Sequence, residues 1–529
     1  MKTSIGSTIR EGSSAMQEAK AATKQTIKKI MAAALAAALT FGLCACGEQT
    51  AETVAGAAEY LTKEDITVNE TYTDDSDGGH AIEVSGEEAE YSNIGVTKTG
   101  DSEGDDADFY GENSAVFATK KGTLTIKDSL IETNGTHANA LFSYGEGTTV
   151  NISDSVIETQ GNCSGGLMTT GGGTMNAENL TIETSGRSSA AIRSDRGGGT
   201  VTVTKGKYTT HGSGSPVVYS TADITVNDSY MESTAAQGIV VEGKNSVTLN
   251  NDTLIADNNT KNSDKSDYYQ AVMIYQSMSG DAAEGTSAFT ASGGSITNKK
   301  GDIFFVNNTA TEISLSGVEI VNEDESGIFL RAEAAGWGSE GSNGGKVNLN
   351  ASTQTINGDI KVDEVSTLNL YLKDKSAFTG AINTDGQTGD VYVEIEDGST
   401  WTLTGDSYVS GLTVSDKSAI DLNGHKLYVD GKEYAEGSAS TGEAFDISTG
   451  SGSGQGAPDG MPGDGQGGPG GQGGQPPEKP DGNGGEPPAK PDGNGGEPPA
   501  KPDGNGGGQG GPGGNPPSGE SPQKPDSSN

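Results

Sequence analysis

Three sets of residues in this sequence recur at spacings that could do chemistry. The first is a file of hydroxyls and carboxamides, Thr125, Asn151, Asn176, Thr202, Thr225 and Thr248, each standing between two apolar residues. A companion file lies two places earlier at Thr123, Thr149, Thr174, Thr200, Asp223 and Ser246. On one common face the two files would offer donors and acceptors able to bind a polysaccharide or to order water. Exposed strand positions also favour threonine for its own sake, with no ligand involved.

The second set is acidic. Glu132, Glu158 and Glu183 share one position, followed there by Thr209 and Glu232. Stacked about 5 Å apart, like charges in direct opposition are destabilising. Bound cations, raised pKa values or nearby basic side chains could offset them, or solvent could screen them. The three glutamates are therefore the candidate metal ligands, with Ca²⁺ the cation that carboxylate oxygens suit. The third set is Arg193, Asp195 and Arg196 in AAIRSDRGGG. Two planar guanidinium groups beside three glycines fit the carboxylates of an acidic glycan. They fit equally an ion pair with a neighbouring carboxylate such as Glu146.

Other patterns carry less. The acidic loops at Asp74, Asp75, Asp77 and at Asp101, Glu103, Asp105, Asp106, Asp108 could gather calcium, but neither has EF-hand spacing. GIVVEGKN (residues 238–245) nearly matches a phosphate loop, yet it ends in Asn and its intervening residues read as a strand, so nucleotide is excluded. His80, His137, His211 and His425 lack zinc-ligand spacing.

The elements that must position these residues are written as a repeat. GTLTIKDSLIETNG (122–135), TTVNISDSVIETQG (148–161), GTMNAENLTIETSG (173–186) and GTVTVTKGKYTTHG (199–212) align without gaps, and looser copies follow at 222–235 and 245–258. Their starts fall 26, 25, 26, 23 and 23 residues apart. Leu124, Val150, Met175, Val201, Ile224 and Val247 share an apolar column, and Ile126, Ile152, Ala177, Val203, Val226 and Leu249 share another two places on. That period of two predicts a first strand. A column at Ile131, Ile157, Ile182, Tyr208, Met231 and Leu254 predicts a second, and short apolar runs at 140–142, 166–168, 190–192, 216–218 and 238–241 a third. Three strands in about 25 residues leave no room for a crossover helix, so each unit must coil and stack on the next. The expected fold is all-β, a right-handed parallel β-helix of three-strand coils, the hand following from the dominance of right-handed parallel connections. About a dozen coils would make a rod roughly 60 Å long. Cys163 falls in the loop column of His137 and Ser188, as a turn residue.

The chain carries 33 basic and 74 acidic residues in 529, a formal charge of −41. Such a surface repels nucleic acid and anionic lipid, leaving cations, neutral or basic glycans and other proteins as partners. Residues 1–45 read as a secretory leader: Lys20, Lys24, Lys28 and Lys29 precede an apolar run of 14 residues (30–43), too short to span a bilayer. Residues 46–65 read as a polar tether, 66–445 as the β-helix with an N-terminal cap, and 446–529 as a disordered tail. Of 18 prolines only Pro216 lies outside that tail, whose core repeats GNGGEPPAKPD without the three-residue period of collagen. With three cysteines, two of them at the leader's end, no disulfide framework is expected.

The segment Leu43-Cys44-Ala45-Cys46-Gly47 resembles the lipobox of bacterial lipoproteins. That resemblance implies that Cys46 is lipidated and anchors the mature chain to the outer face of the bacterial cytoplasmic membrane. The repeats GTLTIKDSLIETNG and TTVNISDSVIETQG, with GSPVVYSTADITV (214–226), VEGKNSVTL (241–249) and WTLTGDSYVSGL (401–412), are similar to surface-exposed right-handed β-helix proteins of the pectin-lyase-like superfamily and to adhesin passenger domains. The resemblance covers roughly residues 90–430 and implies adhesion or carbohydrate binding without catalysis. Alternatively, it implies a calcium-dependent polysaccharide lyase or hydrolase, to which Arg193, Arg196, Asp195 and Glu146 could be fitted although no lyase motif is matched. A passive spacer or coat protein is the third expectation.

Overall fold

The computed structural model describes residues 60–448, apart from 262, 326, 387, 388, 417, 436 and 439–441. The leader, Cys46, most of the tether and the tail beyond 448 lie outside the described residues.

Each apolar column of the repeat becomes a vertical file in a parallel β-helix. Leu124 pairs with Val150, then Met175, Val201, Ile224 and Val247 follow in unbroken parallel register. Ile131, Ile157, Ile182, Tyr208, Met231 and Leu254 do the same. All twelve are buried in one core that runs from Ile82 to Tyr434. A single coil has too little interior of its own, so the apolar faces are satisfied only by stacking.

The strands sort into sheets of 19, 11, four and three members among the described residues. The first and second strands of each unit belong together in the long sheet, which corrects the expectation of separate elements. In Thr149–Thr159, Gly173–Thr184, Gly199–Thr210 and Asp223–Ser233 they run as one bent strand. The bend sits at a left-handed residue: Asp154 (φ 50°), Asn179 (φ 53°), Lys205 (φ 57°) and Asp228 (φ 51°). Asp and Asn tolerate this region best, which is why the position reads D, N or K in the repeat. Asn179 Nδ2 also donates to Asp154 Oδ1 of the coil before (2.8 Å), tying the bends together.

The third strands form the 11-membered sheet, from Ile82–Ser85 through Ile192–Ser194, Ile239–Glu242 and Gln270–Tyr275 to Ile360–Val362. The corner that leads into it explains the terminal glycine of the four gapless copies. A Cβ on Gly161 would stand 1.8 Å from the Gly135 carbonyl oxygen, and one on Gly186 would stand 1.7 Å from that of Gly161. Backbone thus packs on backbone at this corner, and only glycine leaves the room. Serine completes the corner, with Ser164 Oγ donating to Gly135 O (2.8 Å) and Ser215 Oγ to Gly186 O (2.8 Å).

Three excursions leave the coils. Residues 101–113, with the short helix Asp105–Phe109, cover Phe117, Phe142 and Met168 on the outer side of the 11-stranded sheet. The loops 257–269 and 333–344 cover Val240, Met273 and Phe305 further along the same side. At the N-terminal edge, residues 60–65 form a strap over the outer side of the long sheet. The Tyr60 ring lies 6.1 Å from that of Tyr230, and Thr181 Oγ1 donates to Leu61 O (2.7 Å). At the other edge, Leu427–Val429 pairs antiparallel with Lys432–Glu433 and ends the parallel ladder.

Candidate functional site

The Thr/Asn file stands as one column on the long sheet. Thr125, Asn151, Asn176, Thr202, Thr225 and Thr248 are register partners from coil to coil, and the file continues through Thr290. On the outer side a groove of about 310 Å³ runs across four coils between two outward columns of the first strand, just before the bend. Thr125, Asn151, Asn176 and Thr202 line one wall, with Lys127, Ser153, Glu178 and Thr204 opposite. Thr225 and Thr248 belong to the column but not to the groove. One coil on, Asn227 Nδ2 donates to Val203 O (3.0 Å) and to its register partner Thr204 Oγ1 (3.4 Å), so it bonds back to the preceding coil. The companion file at Thr123 shares the register without lining the groove. Within the groove Asn176 Nδ2 donates to Asn151 Oδ1 (2.9 Å), which leaves Asn176 Oδ1 and the Asn151 amide hydrogens facing solvent.

The acidic file is stacked as expected, Glu132 on Glu158 on Glu183. Its counter-charge is protein. Lys63 of the strap places its ammonium 2.7 Å from Glu132 and also against Glu158, and His211 Nε2 lies 3.1 Å from Glu183. Of the four ways to offset the repulsion, basic side chains are the one seen in contact with the file. No group of three or more His, Cys, Asp or Glu side chains that could hold a metal ion occurs among the described residues. The acidic loops are bound by protein donors as well: Asp74 Oδ1 accepts from Ser76 N (2.8 Å) and lies 3.4 Å from Lys98 Nζ, and Asp101 Oδ1 accepts from Thr136 N (2.7 Å).

Arg193, Asp195 and Arg196 come together and spend their charge internally. Arg193 Nη2 donates to Asp195 Oδ2 (2.7 Å), and Asp195 Oδ1 accepts from Arg196 N (3.0 Å). Arg196 holds Asp281 through Nε (2.9 Å), reaches Asp105 at 3.3 Å, and lies 3.7 Å over the Phe109 ring. The partners are thus loop carboxylates rather than Glu146. Arg196 clips the 101–113 excursion to the loop that follows Gln270–Tyr275.

Two arrangements escaped sequence reasoning. His137 and Cys163 do occupy left-handed turn positions (φ 57° and 55°) in adjacent coils, as their column implied. Beyond that, His137 Nδ1 faces Ser102 O (2.8 Å) and Nε2 faces Asp108 Oδ1 (2.8 Å). The hydrogen bond to Asp108, and then one to Cys163, raise its pKa to about 10. The resulting imidazolium pulls the half-buried Cys163 thiol below its ordinary value.

The other is an aromatic pocket of about 130 Å³ over the 11-stranded sheet, lined by Tyr219, Tyr268, Gln270, Met273, Tyr275 and Trp337 among others. Residues of the loops 257–269 and 333–344 supply two of its walls. Behind it the buried Glu242 Oε2 accepts from the hydroxyls of Tyr219 and Tyr275 (3.0 Å for the latter). The one sequence signal was the unusual concentration of aromatic residues in YY (268–269), Tyr275 and Trp337 within a chain only 5% aromatic.

Comparison of the chain with protein-family models, with curated proteins and with solved structures finds no match. The fold therefore rests on its own register, and function on the two concave surfaces just described. No helix among the described residues is long and apolar enough to cross a membrane.

Proposed function

We propose that this is a lipid-anchored surface protein that binds polysaccharide without catalysis, along the groove of the long sheet. The observation that carries this reading is the groove itself: four consecutive coils set hydroxyls and carboxamides one strand spacing apart along a concave track. A polymer with recurring hydroxyls meets a recurring set of partners there. The charge of −41 opposes acidic polymers at long range and favours neutral or basic ones. The engagement of Arg193 and Arg196 with Asp195, Asp281 and Asp105 supports binding over lyase chemistry, which would need a guanidinium free to meet substrate.

The test incubates the purified protein with insoluble neutral polysaccharides, pectin, polygalacturonate and host glycans. Co-sedimentation with a neutral polymer, without release of products, is the expected result. An N151A/N176A variant should lose it. Appearance of unsaturated uronide absorbance would replace the proposal with a lyase. Absence of both binding and products would leave a passive surface spacer.

A further inference from the structure

The aromatic pocket answers to a chemistry different from the groove's. Its frame is held at several points: Gly336 N donates to Lys265 O (2.7 Å) between the two loops, and Asn343 Nδ2 donates to Trp337 O (2.8 Å) and Ala335 O (2.6 Å). Trp337 meets Tyr275 edge-on, ring centres 5.2 Å apart. The walls are therefore in place before a ligand arrives, which lowers the cost of binding.

The size suits one ring. About 130 Å³ is some ten times the roughly 10–15 Å³ that one water needs, so it admits about ten non-hydrogen atoms.

One acceptor inside lacks a donor. Gln270 is only 2% exposed and lines the pocket, yet its Oε1 has no hydrogen-bond partner among the described residues. The Tyr219 and Tyr275 hydroxyls already give their protons to Glu242, and burial holds both phenols well above the usual tyrosine pKa. What these hydroxyls retain is acceptor capacity. A ligand must bring O–H or N–H groups to satisfy them, because a buried acceptor left bare is costly.

Charge narrows the choice further. Three rings of the pocket already carry a protein cation over one face: Arg331 lies 3.8 Å from the Tyr268 centre, Lys300 lies 4.3 Å from Tyr269, and Lys265 lies 5.8 Å from Trp337. A cationic ligand would find those ring faces already occupied. An anionic one would meet the buried Glu242 carboxylate behind the wall and the field of the whole acidic chain. A neutral ring with one apolar face and several hydroxyls satisfies every constraint.

We infer that the pocket between loops 257–269 and 333–344 is a binding site for a single neutral sugar ring, stacked among Tyr268, Tyr275 and Trp337 and donating a hydroxyl to Gln270. It lies on a different sheet from the groove, so it stands or falls independently of polymer binding there.

The full chain has two tryptophans, Trp337 in the pocket and Trp401, which is fully buried in the core and serves as a constant background. Tryptophan emission is followed while glucose, galactose, mannose and N-acetylglucosamine are each titrated in. Choline serves as the cationic probe and galacturonate as the anionic one. At least one neutral sugar should give a saturable change. In Gln270→Met the affinity should fall about tenfold, as expected for one lost hydrogen bond to a buried acceptor. Trp337→Phe should keep binding when read by saturation-transfer NMR, whereas Trp337→Ala should abolish it with an unchanged β-sheet spectrum. The inference is overturned if no neutral sugar saturates, if choline or galacturonate binds in preference, or if Trp337→Ala and Gln270→Met leave the titration unchanged. Polymer co-sedimentation by the groove is a separate readout, and its loss alone does not touch this result.

Discussion

The outer sides of the two large sheets are built by opposite means. On the long sheet the groove is the repeat itself: one column of Thr and Asn, one bend per coil, the same geometry four times over. On the 11-stranded sheet the pocket is made once, by insertions that interrupt the repeat and bring Tyr219 beside Trp337 from 118 positions away. Repetition yields an open track with periodic partners, whereas interruption yields a single pocket of defined size. A solenoid can thus hold both a surface for a polymer and a pocket for a single ring, because its coils tolerate insertions at corners without losing register.

The comparison breaks most severely where both sides depend on the same corner. Gly186→Ala would put a Cβ 1.7 Å from the Gly161 carbonyl oxygen, so the coils must separate locally. A loss of about 3 kcal/mol or more is expected in denaturant unfolding, toward the upper end for overpacking. An unchanged midpoint would mean that the corner is not the fixed point of the stack.

A pH effect is expected on the repeat side. Asp252 is 3% exposed and occupies a place held by Ser129, Ser155 and Ser229 in other coils; its oxygens accept from Ser229 N (2.7 Å) and Asn250 N (2.8 Å). Burial pushes its carboxyl up to about 7 from the ordinary 3.8. The folded form therefore prefers the protonated acid. Its stabilising contribution is full below about pH 3.8 and is lost as pH rises through about 7. Thermal midpoints measured from pH 4 to 8 should show this component in the wild type and lack it in Asp252→Ser, which restores the residue of the other coils and still offers Ser229 N an acceptor.

Arg196 sharpens the contrast on the insertion side. Its ion pairs join loops and are partly exposed, so Arg196→Ala should cost no more than about 1 kcal/mol. Hydrogen exchange should speed up at residues 101–113 and 277–285, while the strands around Asn176 keep their protection. Spread of the effect to those strands would show that the insertions brace the coils.

The smallest effect concerns a single thiol. Cys163 should be alkylated by iodoacetamide at neutral pH faster than cysteine in a denatured chain, and His137→Gln should slow it. Equal rates in both proteins would remove the imidazolium from the account.

The repeat side was legible because each of its rules acts within one coil. Period-two alternation placed Leu124, Val150 and Val201 in one interior file, and the columns transferred directly into register. The fusion of first and second strands was not legible, since Asp154 and Asn179 look like turn residues and only the backbone shows that one left-handed residue bends a strand without ending it. The repulsion among the glutamates at 132, 158 and 183 is legible in the sequence, with cations, raised pKa values, basic side chains and solvent screening all open as offsets; the basic side chain found there is Lys63. That Lys63, 69 residues before the first of them, lies there follows from the path of the strap and from no local pattern. The pocket was hidden for the same reason, as its walls meet only after several coils have stacked. Loop composition at 259–266 and 334–345 signalled excursion and said nothing of where the two loops would meet.

The strap has a mechanical corollary. Tyr60 leaves the described body beside Tyr230, several coils away from the cap formed by Glu70–Asp74. Tension applied at that point would strip the Tyr60, Leu61 and Lys63 attachments one after another, as in peeling tape, before any coil felt the load. At the opposite end the chain also doubles back, with Asn369 Nδ2 donating to Phe445 O (2.8 Å) and Phe445 N to Asn369 Oδ1 (2.9 Å), so force entering there would first strip this second attachment. Both ends of the described chain are accordingly soft to a pull, and the coils between them are spared the first load.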